Sequence, residues 1–125
     1  MTQPGTTHRP VEIRLKRAEK VLELLFEDGA RFRLPAEYLR VESPSAEVQG
    51  HGPGQKTLVA GRAEIGITAV EPVGNYAVRL VFDDLHDTGI YSWSYLYELG
   101  REHSERWQRY LAALAAAGLT REPKR

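Results

Sequence analysis

Asp83, Asp84, His86 and Asp87 fall within five consecutive positions and form the densest set of potential ligands in this chain of 125 residues. Three carboxylates and an imidazole on one turn could hold a divalent cation, because oxygen and imidazole donors suit hard and borderline metals. His51 could join them if the long segment that carries it folds back onto the turn. Two histidines and a carboxylate with open positions are what a non-haem iron triad requires. The competing reading is a solvated acidic turn, and spacing alone leaves both open. A second stretch, Gly50-His51-Gly52-Pro53-Gly54-Gln55-Lys56-Thr57, has the outline of a phosphate loop. It lacks the glycine that must precede the lysine, Pro53 has no N–H to offer a phosphate, and no helical pattern follows Thr57. No serine sits between nucleophile-elbow glycines, so no Ser-His-Asp arrangement can be argued.

Composition narrows the classes further. The chain has no cysteine, which removes disulfide scaffolds, zinc fingers, iron–sulfur ligation and thiol nucleophiles. Hydrophobic residues make up 42% and charged residues 27%, the balance of a globular domain and not of a disordered one. No apolar run reaches the ~20 residues of a membrane helix, and the first ten residues hold no signal-like apolar stretch. The expected location is therefore the cytoplasm, with no membrane partner. The formal net charge is zero, but it is unevenly spread: residues 1–20 and 101–125 each carry net +3 and the middle carries net −6. A nucleic-acid binder is expected to be basic overall with a clustered stripe, and none is visible.

The elements that must position these groups follow from periodicity. Val11, Ile13 and Leu15 alternate with Glu12, Arg14 and Lys16, a half-buried strand. Leu22, Leu24 and Phe26 mark a second strand, Asp28-Gly29 a hairpin turn, and Ala30, Phe32 and Leu34 a third strand. Pro35 to Leu39 suits a short helix, since proline is tolerated in a first turn. Ser43 to Gly61 has no period and is expected to be a long loop. Ala63, Ile65, Ile67 and Ala69 suggest a fourth strand, Pro72 to Asn75 a turn, and Tyr76 to Phe82 a fifth strand. Ile90-Tyr91 could add a sixth. Ser92 or Ser94 can cap a helix ending at Leu99, with Gly100 as its stop. A longer helix spans about Arg101 to Ala117 and ends at Gly118. The expectation is an α+β domain with a small antiparallel or mixed sheet of five to six strands, an opening meander, short helices and a C-terminal helix. Residues 1–9 read as a disordered lead-in, 10–100 as the domain, 101–118 as the helix and 119–125 as a basic tail. The aromatics of the C-terminal third, Tyr91, Trp93, Tyr95, Tyr97, Trp107 and Tyr110, suit either an exposed binding surface or core packing, the latter favoured.

Three stretches together resemble the gamma-butyrobetaine hydroxylase-like N-terminal domain family. They are Leu34 to His51 (LPAEYLRVESPSAEVQGH) with Gly52-Pro53-Gly54-Gln55 after it; Val73-Gly74-Asn75-Tyr76-Ala77-Val78; and Phe82-Asp83-Asp84, His86-Asp87, Gly89-Ile90-Tyr91-Ser92-Trp93, Tyr95-Leu96 and Leu99-Gly100. Leu85 departs from the glycine usual there, which puts the geometry of that turn in question. In the animal hydroxylases the domain precedes an iron- and 2-oxoglutarate-dependent barrel, which these residues do not contain, so no hydroxylase activity is carried over. The resemblance also implies a zinc held there by three cysteines and a histidine. The cysteine positions fall on Ser43, Ser45 and Val48 and the histidine on His86. Zinc binding is therefore expected to be absent, with His86 hydrogen-bonded across to the Ser43–Ser45 loop. The same domain is joined to Mrp-type iron–sulfur carrier ATPases in plants.

These readings lead to a non-catalytic binding domain, without cofactor, that acts through a protein partner. Its contact surface would be the loop Ser43–Gln55 with the facing turn Asp83–Tyr91, using Ser43, Ser45, Glu47, His51, Asp84, His86, Tyr91 and Trp93. The alternative is an accessory factor in iron or iron–sulfur handling, with iron on His51, Asp83, Asp84 and His86. An enzyme with small-molecule chemistry of its own is the third reading, and no nucleophile–base pair or cofactor motif supports it.

Overall fold

The computed structural model describes residues 8–50 and 54–123. The expected lead-in therefore lies outside the described residues up to position 7, as does His51. The meander of the opening is present as strands β1 (Pro10–Lys16), β2 (Val21–Phe26) and β3 (Arg31–Pro35). Gly29 turns the second hairpin at φ 89°, and the Asp28 carboxylate accepts the Ala30 N–H at 2.9 Å. A helix α1 (Ala36–Val41) follows directly, with Pro35 in its N-cap position, and a single turn α2 (Ala46–Gln49) comes next. Strands β4 (Ile67–Val73), β5 (Ala77–Phe82) and β6 (Gly89–Ser92) form the second meander. Helices α3 (Trp93–Arg101) and α4 (His103–Ala117) close the chain. The fold is thus α+β, with six strands among the described residues, and these divide into two antiparallel sheets, β1-β2-β3 and β4-β5-β6.

One core joins the two sheets. Alternation sends Leu22, Leu24 and Phe26 of β2 and Val78, Leu80 and Phe82 of β5 inward, where they meet Tyr38 and Leu39 of α1, Tyr91 of β6, and Leu96 and Leu99 of α3. A smaller apolar cluster of Val41, Val48, Val59, Tyr110 and Leu114 lies where α4 crosses α2 and the 57–60 segment. The terminal helix therefore packs on the long connection as well as on the main core, with Trp107 touching both clusters. Among the described residues, no helix is long and apolar enough to cross a membrane.

Four local expectations change. The strand expected from Ala63 starts at Ile67 instead, because residues 61–63 are held by the chain end: Gly61 donates to the Thr120 carbonyl and Ala63 to that of Arg121. Pro72 belongs to β4 rather than to a turn, and β4 is an edge strand, where a missing N–H is tolerated. Residues 119–123, the described part of the expected basic tail, are tied to the fold at Arg121. The Arg121 guanidinium grips both oxygens of the buried Glu37 carboxylate at 2.7 and 2.8 Å and lies 5.4 Å from the Trp107 ring centre. Finally, Gly100 sits inside α3 and does not stop it.

The reason for Gly100 is steric: a Cβ there would lie 2.3 Å from Cγ of Phe32, against β3. Helix propensity alone says that alanine at an interior glycine gains about 1 kcal/mol. The overpacking against Phe32 costs about 1–3 kcal/mol. Gly100→Ala is therefore expected to lower stability, and a urea midpoint above that of the unaltered protein would remove the packing argument.

Candidate functional site

Every residue of α1 is buried, Glu37 and Arg40 included. A helix of six residues has few internal hydrogen bonds, and its last carbonyls need outside donors. Tyrosines supply them. Tyr91 donates to the Leu39 carbonyl at 2.6 Å and Tyr95 to the Glu42 carbonyl at 2.5 Å. Burial pushes the Tyr95 hydroxyl up to about 12, so it stays a donor at any ordinary pH. Much of the aromatic content near the C-terminus thus serves core packing and backbone capping.

The chain leaves α1 into Ser43, which is wholly buried. Its hydroxyl shares a hydrogen bond of 2.8 Å with Nε2 of His86, and it also accepts the Ser45 N–H at 3.2 Å. The contact expected between His86 and this loop is therefore present. Ser45 does two jobs: its hydroxyl caps α2 by accepting the Glu47 N–H, and it lies 2.6 Å from the Thr88 hydroxyl. Thr88 in turn donates to the Glu47 carboxylate, whose oxygen is 3.6 Å from His86 Nδ1. Gly89 makes this approach possible, since a Cβ there would be 2.7 Å from Ser43 Oγ.

The acidic turn is built as tightly from its own side. His86 returns the chain by offering its carbonyl to the Phe82 N–H, and its own N–H goes to Asp84 Oδ1 at 3.1 Å. Asp84 Oδ2 accepts from Nε of both Arg40 and Arg62 at 2.8 Å. Burial pushes the Asp84 carboxyl up, but hydrogen bonds from Arg62, the His86 amide and Arg40 hold it below the usual carboxylate range. Asp83 faces away and accepts the Gly66 N–H at 3.0 Å. Asp87 lies 3.6 Å from Arg79. Leu85 adopts the left-handed conformation at φ 71° with its side chain 89% exposed. The glycine-type geometry of this turn is therefore kept despite the leucine.

The turn is thus not a converging ligand set: Asp84 is committed to its arginines while Asp83 stays exposed. Among the described residues, no three His, Cys, Asp or Glu side chains are grouped as a metal would need. At the positions where the resemblance implies zinc ligands, Ser43, Ser45 and His86 do come together, while Val48 turns into the smaller apolar cluster. Two hydroxyls, an imidazole and a valine do not fit zinc, which takes thiolate, imidazole or carboxylate donors. Of the expected contact residues, Ser43, Ser45, His86 and Tyr91 are buried and form the frame. Asp84 is spent on its two arginines. Glu47 remains exposed, and Trp93 is partly so, with its indole N–H on the Asn75 carbonyl at 2.7 Å. Residues that the sequence reading passed over are Arg40, Arg62 and Thr88. Arg40 Nη1 is buried without a hydrogen-bond partner among the described residues.

His86 gives the site a pH signature. Burial holds its pKa below the ordinary 6.5, and Arg40 adds to this, while Glu47, Asp84 and Asp87 oppose. Burial also lowers His103, which stacks on Tyr38. The folded chain then resists a proton that the unfolded chain accepts, so this contribution is complete above about pH 6.5 and is lost as pH falls below it. Each histidine can change the slope by at most about 1.4 kcal/mol per pH unit. Stability measured by urea at pH 7.5 and 5.5 should fall, and His86→Gln with His103→Gln should flatten the difference. An unchanged difference in the double variant would assign the acid sensitivity elsewhere.

None of the curated proteins matches the chain. Two proteins solved by solution NMR are similar over nearly their whole length. One is 47% identical, covering 96% of this chain and 94% of that one with a TM-score of 0.84. The other is 50% identical, covering 98% and 92% with a TM-score of 0.82. A crystal structure of a DUF971-family protein of unknown function from Acidithiobacillus ferrooxidans is 40% identical, covering 74% of this chain and 92% of that one with a TM-score of 0.63. The family model described as gamma-butyrobetaine hydroxylase-like, N-terminal, matches residues 13–97, from within β1 to the first half of α3, and the chain belongs to that family.

Proposed function

We propose that this chain is a non-catalytic binding domain that acts through a protein partner, docking on the outer side of the α2 segment and the 83–88 turn. The observation that carries this reading is Leu85. A leucine in the left-handed conformation costs about 1–2 kcal/mol, and here its side chain contributes almost nothing to the fold because it is 89% exposed. Below it the frame is rigidly tied by Ser43–His86, Ser45–Thr88 and Asp84 with its two arginines. A strained apolar side chain displayed on a preorganised base is a suitable contact for a partner, since little ordering cost remains to be met on binding. Exposed Glu47 lies on the same paired segments and supplies a polar contact beside it.

The iron-handling alternative is less well supported. Asp84 is neutralised by guanidinium groups, and Asp83 faces away from it toward the Gly66 amide, so the two carboxylates do not converge on a cation. The matched family is the domain that precedes the barrel in the related hydroxylases, and no catalytic hydroxylase domain lies within this chain.

Leu85 separates stability from function in one experiment. Leu85→Gly should raise stability by about 1 kcal/mol, because it relieves the backbone and removes no buried surface. The same variant, and Leu85→Asp combined with Glu47→Lys, should weaken quantitative co-purification of the dominant partner at least about tenfold. Retention of that partner at the level of the unaltered protein by both variants would refute the proposed contact.

A further inference from the structure

A cleft of about 340 Å³ lies between α4 and the 56–59 segment, and no residue of the 83–88 turn lines it. The volume is within the range of small-molecule sites, roughly 300–1,000 Å³. Its floor is apolar: Val41, Leu58, Val59, Ala113 and the ring of Tyr110. The Tyr110 hydroxyl is committed to the Val59 carbonyl at 2.7 Å and leaves only its ring to a ligand. The mouth is cationic, with Lys56, Arg106 and Arg109 around a single lining carboxylate, Glu42.

These cations are not equally engaged. Arg106 is held by Glu42, Glu98 and Glu102 and is fixed in place. Arg109 is 68% exposed and, among the described residues, meets only Glu105, at 3.7 Å. Lys56 is 48% exposed and shares Glu42 with Arg106, so Glu42 keeps a counterion if the lysine turns to another anion. Two exposed cations beside an apolar floor match a molecule with a carboxylate at one end and a hydrocarbon or aryl body at the other. The geometry points to a binding site for a small amphipathic monocarboxylate, its body on Val59 and Tyr110 and its carboxylate between Lys56 and Arg109. The site does not depend on the partner reading.

Titration of the ¹⁵N-labelled protein with sodium octanoate at constant ionic strength tests it. Saturable shifts are expected at Leu58, Val59, Tyr110 and Ala113, with a Kd below about 1 mM. Octylamine, equal in length and opposite in charge, should not saturate the same amides. Lys56→Gln with Arg109→Gln, both surface changes, should weaken octanoate at least about tenfold. Ala113→Leu, which fills the floor, should abolish binding while shifts far from α4 stay unchanged. Equal binding of octylamine, undiminished binding by the double glutamine variant, or shifts spread over the whole surface would each overturn the site.

Discussion

A short helix buried on every side is the constraint that the rest of the structure answers. Within and just after α1 stand three ionised residues, Glu37, Arg40 and Glu42, all with under a tenth of their surface exposed. A buried charge without a partner costs several kcal/mol, roughly 3–5 when one member of a pair is removed. Each therefore needs a counterion, and each takes it from a different part of the chain. Glu37 takes Arg121 from the C-terminal end, Arg40 takes Asp84 from the turn after β5, and Glu42 takes Lys56 and Arg106. The helix thereby fixes the tail, the turn, the long connection and α4 against one another. The tyrosine hydroxyls on Leu39 and Glu42 do the same for the backbone.

This arrangement also explains the charge distribution. The acidic middle of the sequence includes the two buried glutamates of the α1 region, and the basic C-terminal part supplies Arg106 and Arg121 to neutralise them. The asymmetry is therefore partly an internal pairing pattern. What is left on the surface at the α4 side is the less engaged pair Lys56 and Arg109, which is why that cleft is cationic while the chain as a whole is neutral.

The strands were legible because burial of one sheet face imposes a period of two over five to seven residues, a signal that needs no knowledge of the partner strand. The α2 turn was not, because four residues carry no period; the one available sign was Ser45 before Ala46-Glu47, an N-cap pattern. Gly100 was misread for a related reason. A glycine after an apolar-periodic stretch satisfies the local rule for a helix stop, while its actual cause, the Phe32 ring, lies far away in sequence. In the site, a family pattern placed His86 opposite Ser43, and the contact is there. Arg40 and Arg62 could not be found this way, since periodicity assigns no partner to a charged residue, and the Asp84 they share lies 44 and 22 positions away.

The replacement of implied zinc ligands by Ser43, Ser45 and Val48 changes what holds the loop to the turn. A metal cross-link would concentrate that linkage in one set of bonds, lost together on chelation or acidification. Here it is spread over the Ser43–His86 and Ser45–Thr88 hydrogen bonds and the Arg40–Asp84–Arg62 ion cluster, while Val48 adds apolar contact in the smaller cluster. Each neutral bond contributes about 1 kcal/mol, so no single one is decisive. The arrangement draws on no thiolate donor, since the chain has no cysteine. It retains an acid dependence, because its central member is a buried imidazole that must stay neutral. The strained Leu85 is tolerated on this base because the carbonyl and amide partners on both sides of it, Phe82 and His86, are fixed by the same network.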